Sequence, residues 1–168
     1  MTLITRTGEK PEDYRRVDAV EDLRLDERAV LVPLAFASAA LAARPAASVA
    51  LSVPNDTPVE ALQPYLAAAP LIAVEFPSFS DGRGLSLAKR LRRAGFAGTL
   101  RASGPLIADQ FAEALACGFD EVELPETMAN RQPVQQWMEA KDIVTSHYQS
   151  GYGEDRSILQ KRLAARKG

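Results

Sequence analysis

The chain has 168 residues, 46% of them hydrophobic, and 20 basic against 22 acidic residues leave a formal charge of -2. That length and apolar content suit one globular domain with its own core, and the near balance of charge gives no global attraction to nucleic acid or to an anionic membrane, so neither is expected as a partner. A single cysteine, Cys117, and a single histidine, His147, exclude an internal disulfide, a CxxC redox pair and a His/Cys metal centre within one chain; only a carboxylate-rich site or one shared between subunits survives, and no metal site is expected.

Met1 to Lys10 lacks the apolar stretch and small-residue cleavage pattern of a secretory signal, and a cytoplasmic protein is expected. Three segments follow from composition: a polar N-terminal arm over 1–28, one α/β domain over 29–148 and a basic tail over 149–168. Thr5 to Arg28 is dense in charge and turn residues, which predicts an irregular arm or small hairpin outside the main core. Val30 to Leu34 is a short β-branched strand, and Ala-rich Phe36 to Ala43 has the composition of a helix. The apolar run from Ala29 to Ala43 stops at Arg44-Pro45, short of the roughly 20 residues that cross a bilayer.

Ser48 to Val53 repeats the strand signal. Thr57-Pro58-Val59-Glu60 then reads as a capping box with proline at the first helical position, and Pro64 predicts a kink or restart one turn on. Leu71 to Phe76 is nearly continuous in apolar residues, as for a central strand covered on both faces. Leu87, Ala88, Leu91 and Ala94 line one side of a helix that Gly95 ends, and Gly98 to Ala102 is the next strand. A helix opening at Ser103-Gly104-Pro105 turns Ile107, Phe111, Ala114 and Leu115 inward and closes at Gly118. Phe119 to Leu124 is a further strand, and Pro133 to Ser146 an amphipathic helix through Val134, Trp137 and Met138.

About five consecutive β-α units of this kind imply right-handed crossovers and a parallel sheet. Two architectures accommodate them: an open doubly wound sheet, or a partial-barrel arc with helices on one side only. Five units are few for closing a barrel, which favours the open sheet.

In either case ligands bind at the carboxyl ends of the strands, which ranks the loops. Asp81-Gly82-Arg83-Gly84-Leu85-Ser86 has the ingredients of an anion cradle: two glycines that let amides converge, a helix N-terminus and a forked guanidinium. Arg101 and Ser103 beside the next helix start would complete a site for a small oxyanion such as sulfite, sulfate or phosphate. The same residues are also what an ordinary turn and helix cap contain. Asp81 with Asp109 or Glu75 would make an acid/base pair in a shared apolar pocket, against the simpler roles of cap, dipole partner and solvated or ion-paired carboxylate. The loop is neither a P-loop nor a GxGxxG fingerprint, so no cofactor is expected. Cys117, in the last turn of its helix, is expected to act as a small buried hydrophobe, and His147 to pack or sit exposed. Lys89, Arg90, Arg92 and Arg93 form a basic helical face, read as a solvated surface or a docking patch.

Phe76 to Gly84, Leu100-Arg101-Ala102 followed by Gly104, Asp109-Gln110 and Cys117-Gly118-Phe119-Asp120 together resemble a bacterial family known as domain of unknown function 934. The resemblance implies a link to sulfite reduction, because genes of that family tend to lie beside those of sulfite reductase and related assimilation enzymes, and it carries the label of an oxidoreductase. Gly104-Pro105 stands where the resemblance implies Gly-Asp, which removes one carboxylate from the candidate site. The reading favoured at this point is an accessory protein of sulfite assimilation that binds an oxyanion or docks onto sulfite reductase or another sulfur-assimilation protein. The alternatives are an enzyme acting on a small anionic substrate, and a homo-oligomeric module formed through an apolar surface around Trp137 and Met138.

Overall fold

A computed structural model describes residues 1–24 and 27–142; the tail over 149–168, His147 and the end of the helix expected to reach Ser146 lie outside the described residues. Strands β1 (Thr2–Thr5) and β2 (Gly8–Lys10) form a hairpin, and β3 (Arg15–Arg16) follows after four residues. The chain then alternates: β4 (Val30–Pro33), α1 (Ala37–Ala43), β5 (Val49–Pro54), α2 (Val59–Leu62), β6 (Leu71–Glu75), α3 (Arg83–Arg93), β7 (Thr99–Ser103), α4 (Phe111–Cys117), β8 (Glu121–Leu124), α5 (Glu126–Ala129) and α6 (Val134–Ala140).

The strands lie in one eight-stranded sheet in the order β2-β1-β8-β7-β6-β5-β4-β3. From β3 to β8 every neighbour is parallel and sequential, while β1 pairs antiparallel with β8. Sequential order has no point at which the winding reverses, so right-handed crossovers put the connecting helices on one face. This corrects the preference for a doubly wound sheet: the sheet is a curled half-barrel, the arc of the two alternatives.

The N-terminal segment shows why the sheet must curl. β2 and β3 occupy opposite ends of the strand order. In a flat sheet those ends would lie about 34 Å apart at the usual strand spacing. Lys10 and Arg15 are joined by so few residues that the chain spans at most about 18 Å between them. Residues 11–14 therefore cross the concave face as a strap, and the arm is part of the fold rather than an appendage outside it. Ile4, Val17 and Leu23 belong to the main core, which differs from the expectation drawn from the polarity of this stretch.

That core lies between the sheet and its helices. Val32, Leu51, Val53, Ile72, Val74, Leu100, Val122 and Leu124 pack on Leu62, Leu87, Leu91, Phe111 and Trp137. Trp137 is fully enclosed and meets Phe111 edge-on with ring centroids 5.4 Å apart, so it presents no apolar surface to a second copy. The opposite, concave face has a small apolar patch of Leu31, Ala50, Leu71 and Ala73, covered by Tyr14 of the strap.

Local signals in the sequence translate unevenly. Pro64 does end α2 early, and a 3-10 turn over Gln63–Tyr65 restarts the chain. The capping box before α2 does not form; the Thr57 hydroxyl donates to the Pro54 carbonyl at 2.8 Å and the helix begins after Pro58. Gly95 and Gly118 take positive φ at helix ends, as expected, but Ala94 is exposed and Phe96 fills the core position beyond it.

Candidate functional site

Two clusters of chemically capable side chains lie on this scaffold. The first is the rim loop between β6 and α3. Phe76 leaves the sheet with its amide donating to the Ser103 carbonyl at 2.7 Å, and its ring turns inward. A β-carbon on Gly84 would stand 2.3 Å from Cζ of that ring, and one on Gly104, at φ +144°, would stand 2.2 Å from the Phe76 carbonyl oxygen. Both glycines are therefore required by Phe76, a packing reason that accounts for them without an anion. At Gly82, with φ -75°, a β-carbon would meet nothing.

Asp81 caps the helix that follows. Its Oδ1 accepts from the Arg83 amide at 3.2 Å, and both its oxygens accept from the Arg83 side chain, at 2.7 Å in the shortest contact. Arg83 also lies 3.6 Å from Asp56. The hydrogen bonds from Arg83 hold the Asp81 carboxyl well below the usual carboxylate range, and the amide of nearby Asn55 adds to this, although it stands outside strict hydrogen-bond geometry. Ser86 is exposed on α3 and its amide is turned to the Gly82 carbonyl. Among the described residues, neither Asp109 nor Glu75 pairs with Asp81. Asp109 is exposed beside the next helix, and Glu75 accepts from the Ser52 hydroxyl at 2.7 Å.

Above this framework Phe79 is 53% exposed, one of three large apolar side chains so placed among the described residues. The Gln110 side-chain amide donates to its carbonyl at 2.6 Å, and the Ser78 and Ser80 hydroxyls lie 2.9 Å apart in hydrogen-bonding geometry. The loop is thus tied internally and to its neighbour while its aromatic ring faces water.

The second cluster lines the concave face. Strands β7 and β8 alternate: Leu100, Ala102, Val122 and Leu124 face the helices, and Arg101, Ser103, Glu121 and Glu123 face the hollow of the arc. Arg101 has no exposed surface. Its Nε donates to Glu121 at 2.8 Å, one terminal nitrogen reaches Glu123 at 3.2 Å, and the Glu12 carboxylate of the strap caps the end of the guanidinium at 2.7 and 3.2 Å. The Tyr14 ring centroid lies 5.8 Å from its central carbon. Arg16 donates to both oxygens of Glu123, at 2.6 and 2.7 Å, and to the Ser103 hydroxyl, while Lys10 pairs with Glu121 at 2.8 Å. Burial opposes the charge on Arg101, yet Glu12 and Glu121 outweigh it and raise its pKa; burial likewise raises that of Tyr14, partly offset by Arg101.

The candidate residues thus fall into separate groups. Asp81, Gly82, Arg83, Gly84 and Ser86 lie on the rim, Arg101 and Ser103 lie on the concave face, and Asp109 stands apart. The two guanidiniums that a clamp would need do not meet, and each already holds carboxylates. The partners of Arg101 were legible only in part: Glu-Val-Glu-Leu in β8 alternates polar and apolar as a strand with one polar face does, but nothing in the sequence brings Glu12 to it.

An open crevice of roughly 530 Å³ lies at the other end of the strands, with Arg92, Gly98, Gly118 and Asp120 in its wall. Arg92 is occupied there, donating to the carbonyls of Phe96, Gly98 and Gly118 and to Asp120. Cys117 is buried near that end, and burial pushes its thiol pKa up. Among the described residues no group of side chains is arranged to hold a metal ion, and no helix is long and apolar enough to cross a membrane.

Fold and site together define a singly wound α/β half-barrel whose concave face is filled by an ion network and whose carboxyl-end rim presents a braced aromatic loop. The chain belongs to the family described as a bacterial protein of unknown function (DUF934), whose model matches residues 50–159 and so takes in the rim loop, Arg101, Glu121 and Glu123. No curated protein matches the sequence.

Proposed function

We propose that this chain is a cytoplasmic accessory protein of sulfite assimilation that docks onto sulfite reductase, using the rim loop around Phe79 as its contact. The observation that carries the docking part is the pairing of exposure with constraint. Phe79 is solvent-facing, yet its own carbonyl is held by Gln110 and the loop ends are fixed by Phe76 on one side and the Asp81–Arg83 cap on the other. An aromatic side chain presented by a tied loop loses little conformational freedom on binding, which is what a central interface contact requires.

The link to sulfur metabolism rests on the gene neighbourhood that the family resemblance implies. A reading as an enzyme on a small anion has less support, because Arg83 on the rim and Arg101 in the hollow do not converge and, among the described residues, no acid/base pair is assembled around them. The test is co-purification of the tagged full chain with sulfite reductase from the same cell. Retention through washing supports docking; sulfite reductase that passes through unretained contradicts it.

A further inference from the structure

The end of the Arg101 guanidinium is capped by a carboxylate that does not belong to the sheet. Glu121 and Glu123 are on β8 and almost fully buried, so they are fixed walls of the hollow. Glu12 comes from the strap residues 11–14, which have no helix or strand of their own, and its side chain is one-third exposed. Its two oxygens meet the two terminal nitrogens of Arg101, the two-point geometry by which a guanidinium holds a free carboxylate or oxyanion. On either side of the strap, Lys10 and Arg16 are secured by strand pairing, with Leu3 and Leu31 respectively. If residues 11–14 alone lift away, Arg101, Arg16 and Lys10 remain against Glu121 and Glu123, and one positive charge is left unmatched at the open end of the fork.

We propose that this fork is a binding site for a small anion carrying two oxygens on one centre, a carboxylate or a sulfite-like oxyanion. Residues 11–14 are its latch, and Glu12 takes the ligand's place when no ligand is bound. The inference is independent of docking through Phe79, which lies on the rim and not in the hollow.

The experiment titrates the full chain with sodium acetate, sodium sulfite and sodium sulfate at constant ionic strength set with chloride, and follows amide hydrogen exchange at Glu12, Asp13 and Tyr14. One of the anions is expected to speed exchange at these amides saturably, because ligand and Glu12 compete for the same donors. By calorimetry Glu12→Gln is expected to bind that anion roughly tenfold tighter than the unaltered chain, since a neutral latch competes less. A preference for sulfite over acetate identifies a sulfur oxyanion as the ligand, and the reverse a carboxylate. Glu12→Gln that binds none of the three, or binds no tighter than the unaltered chain, overturns the proposal. Should that variant fail to fold, the unaltered chain decides: exchange at residues 12–14 that is indifferent to all three anions overturns it equally.

Discussion

The ring of Phe76 occupies the space where Gly84 would carry a side chain. A β-carbon there would lie 2.3 Å from Cζ and 2.6 Å from Cε2, and the ring has nowhere to go, being 5% exposed and edge-on to Phe119 with centroids 5.8 Å apart. Gly84→Ala is therefore expected to destabilise by about 1–3 kcal/mol through overpacking. Gly82→Ala, two residues earlier with open space around it, is expected to change stability by no more than about 0.5 kcal/mol. Urea denaturation of both variants tests the packing account, which expects the two glycines to differ. In a Phe76→Leu background most of the Gly84→Ala cost is expected to disappear, because the two positions share one space.

Arg101 neutralises carboxylates that the fold has already removed from water. Replacing it with Met keeps much of the volume but leaves Glu121 and Glu123 buried without that partner, and breaking a buried pair in this way costs about 3–5 kcal/mol. Chemical denaturation is expected to show a loss of that order for Arg101→Met and a smaller one when Glu121→Gln and Glu123→Gln accompany it. A loss no larger in the single variant than in the combined one would contradict a charge-balanced hollow.

Asp81 gives the rim a pH dependence of known sign. Its folded-state pKa is depressed, chiefly by the hydrogen bonds from Arg83. The stabilisation is therefore fully present above the unfolded value, near 3.9, and is lost progressively as pH falls below it toward the folded value. Asp81→Asn is expected to melt at a lower temperature than the unaltered chain at neutral pH, with a gap that stays constant down to about pH 4 and narrows below it. Its partner Arg83 is 60% exposed, so the gap is also expected to shrink with added salt. A gap that widens on acidification would contradict the assignment of Asp81 as a charged cap.

Much of the layer structure was legible in the sequence because strands and helices announce themselves by period. The apolar runs at Val30, Val49 and Leu71 became β4, β5 and β6, and the spacing of Leu87 and Leu91 became the buried face of α3. Strand order was not legible. Alternation of elements fixes the hand of each crossover but not whether the winding reverses, and the deciding residues lay in the polar arm, whose β2 and β3 join opposite edges of the sheet. Which candidate residues lie together was not legible. Arg101 and Arg83 each follow or lie near a strand end, but one side-chain position along a strand decides between rim and hollow, and the parity of Arg101 sends it inward to Glu121 and Glu123. Gly84 reads as a cradle residue until the Phe76 ring is seen in the space it leaves.

Docking through the rim loop is decided by the affinity of purified sulfite reductase for the unaltered chain and for Phe79→Ala. Phe79 is 53% exposed, so its removal is expected to leave the melting temperature unchanged. Measurable binding by the unaltered chain is expected, with a loss of roughly 30-fold or more in the variant, as for a central aromatic contact worth about 2 kcal/mol or more. No binding by the unaltered chain, or equal binding by both, would contradict docking through this loop.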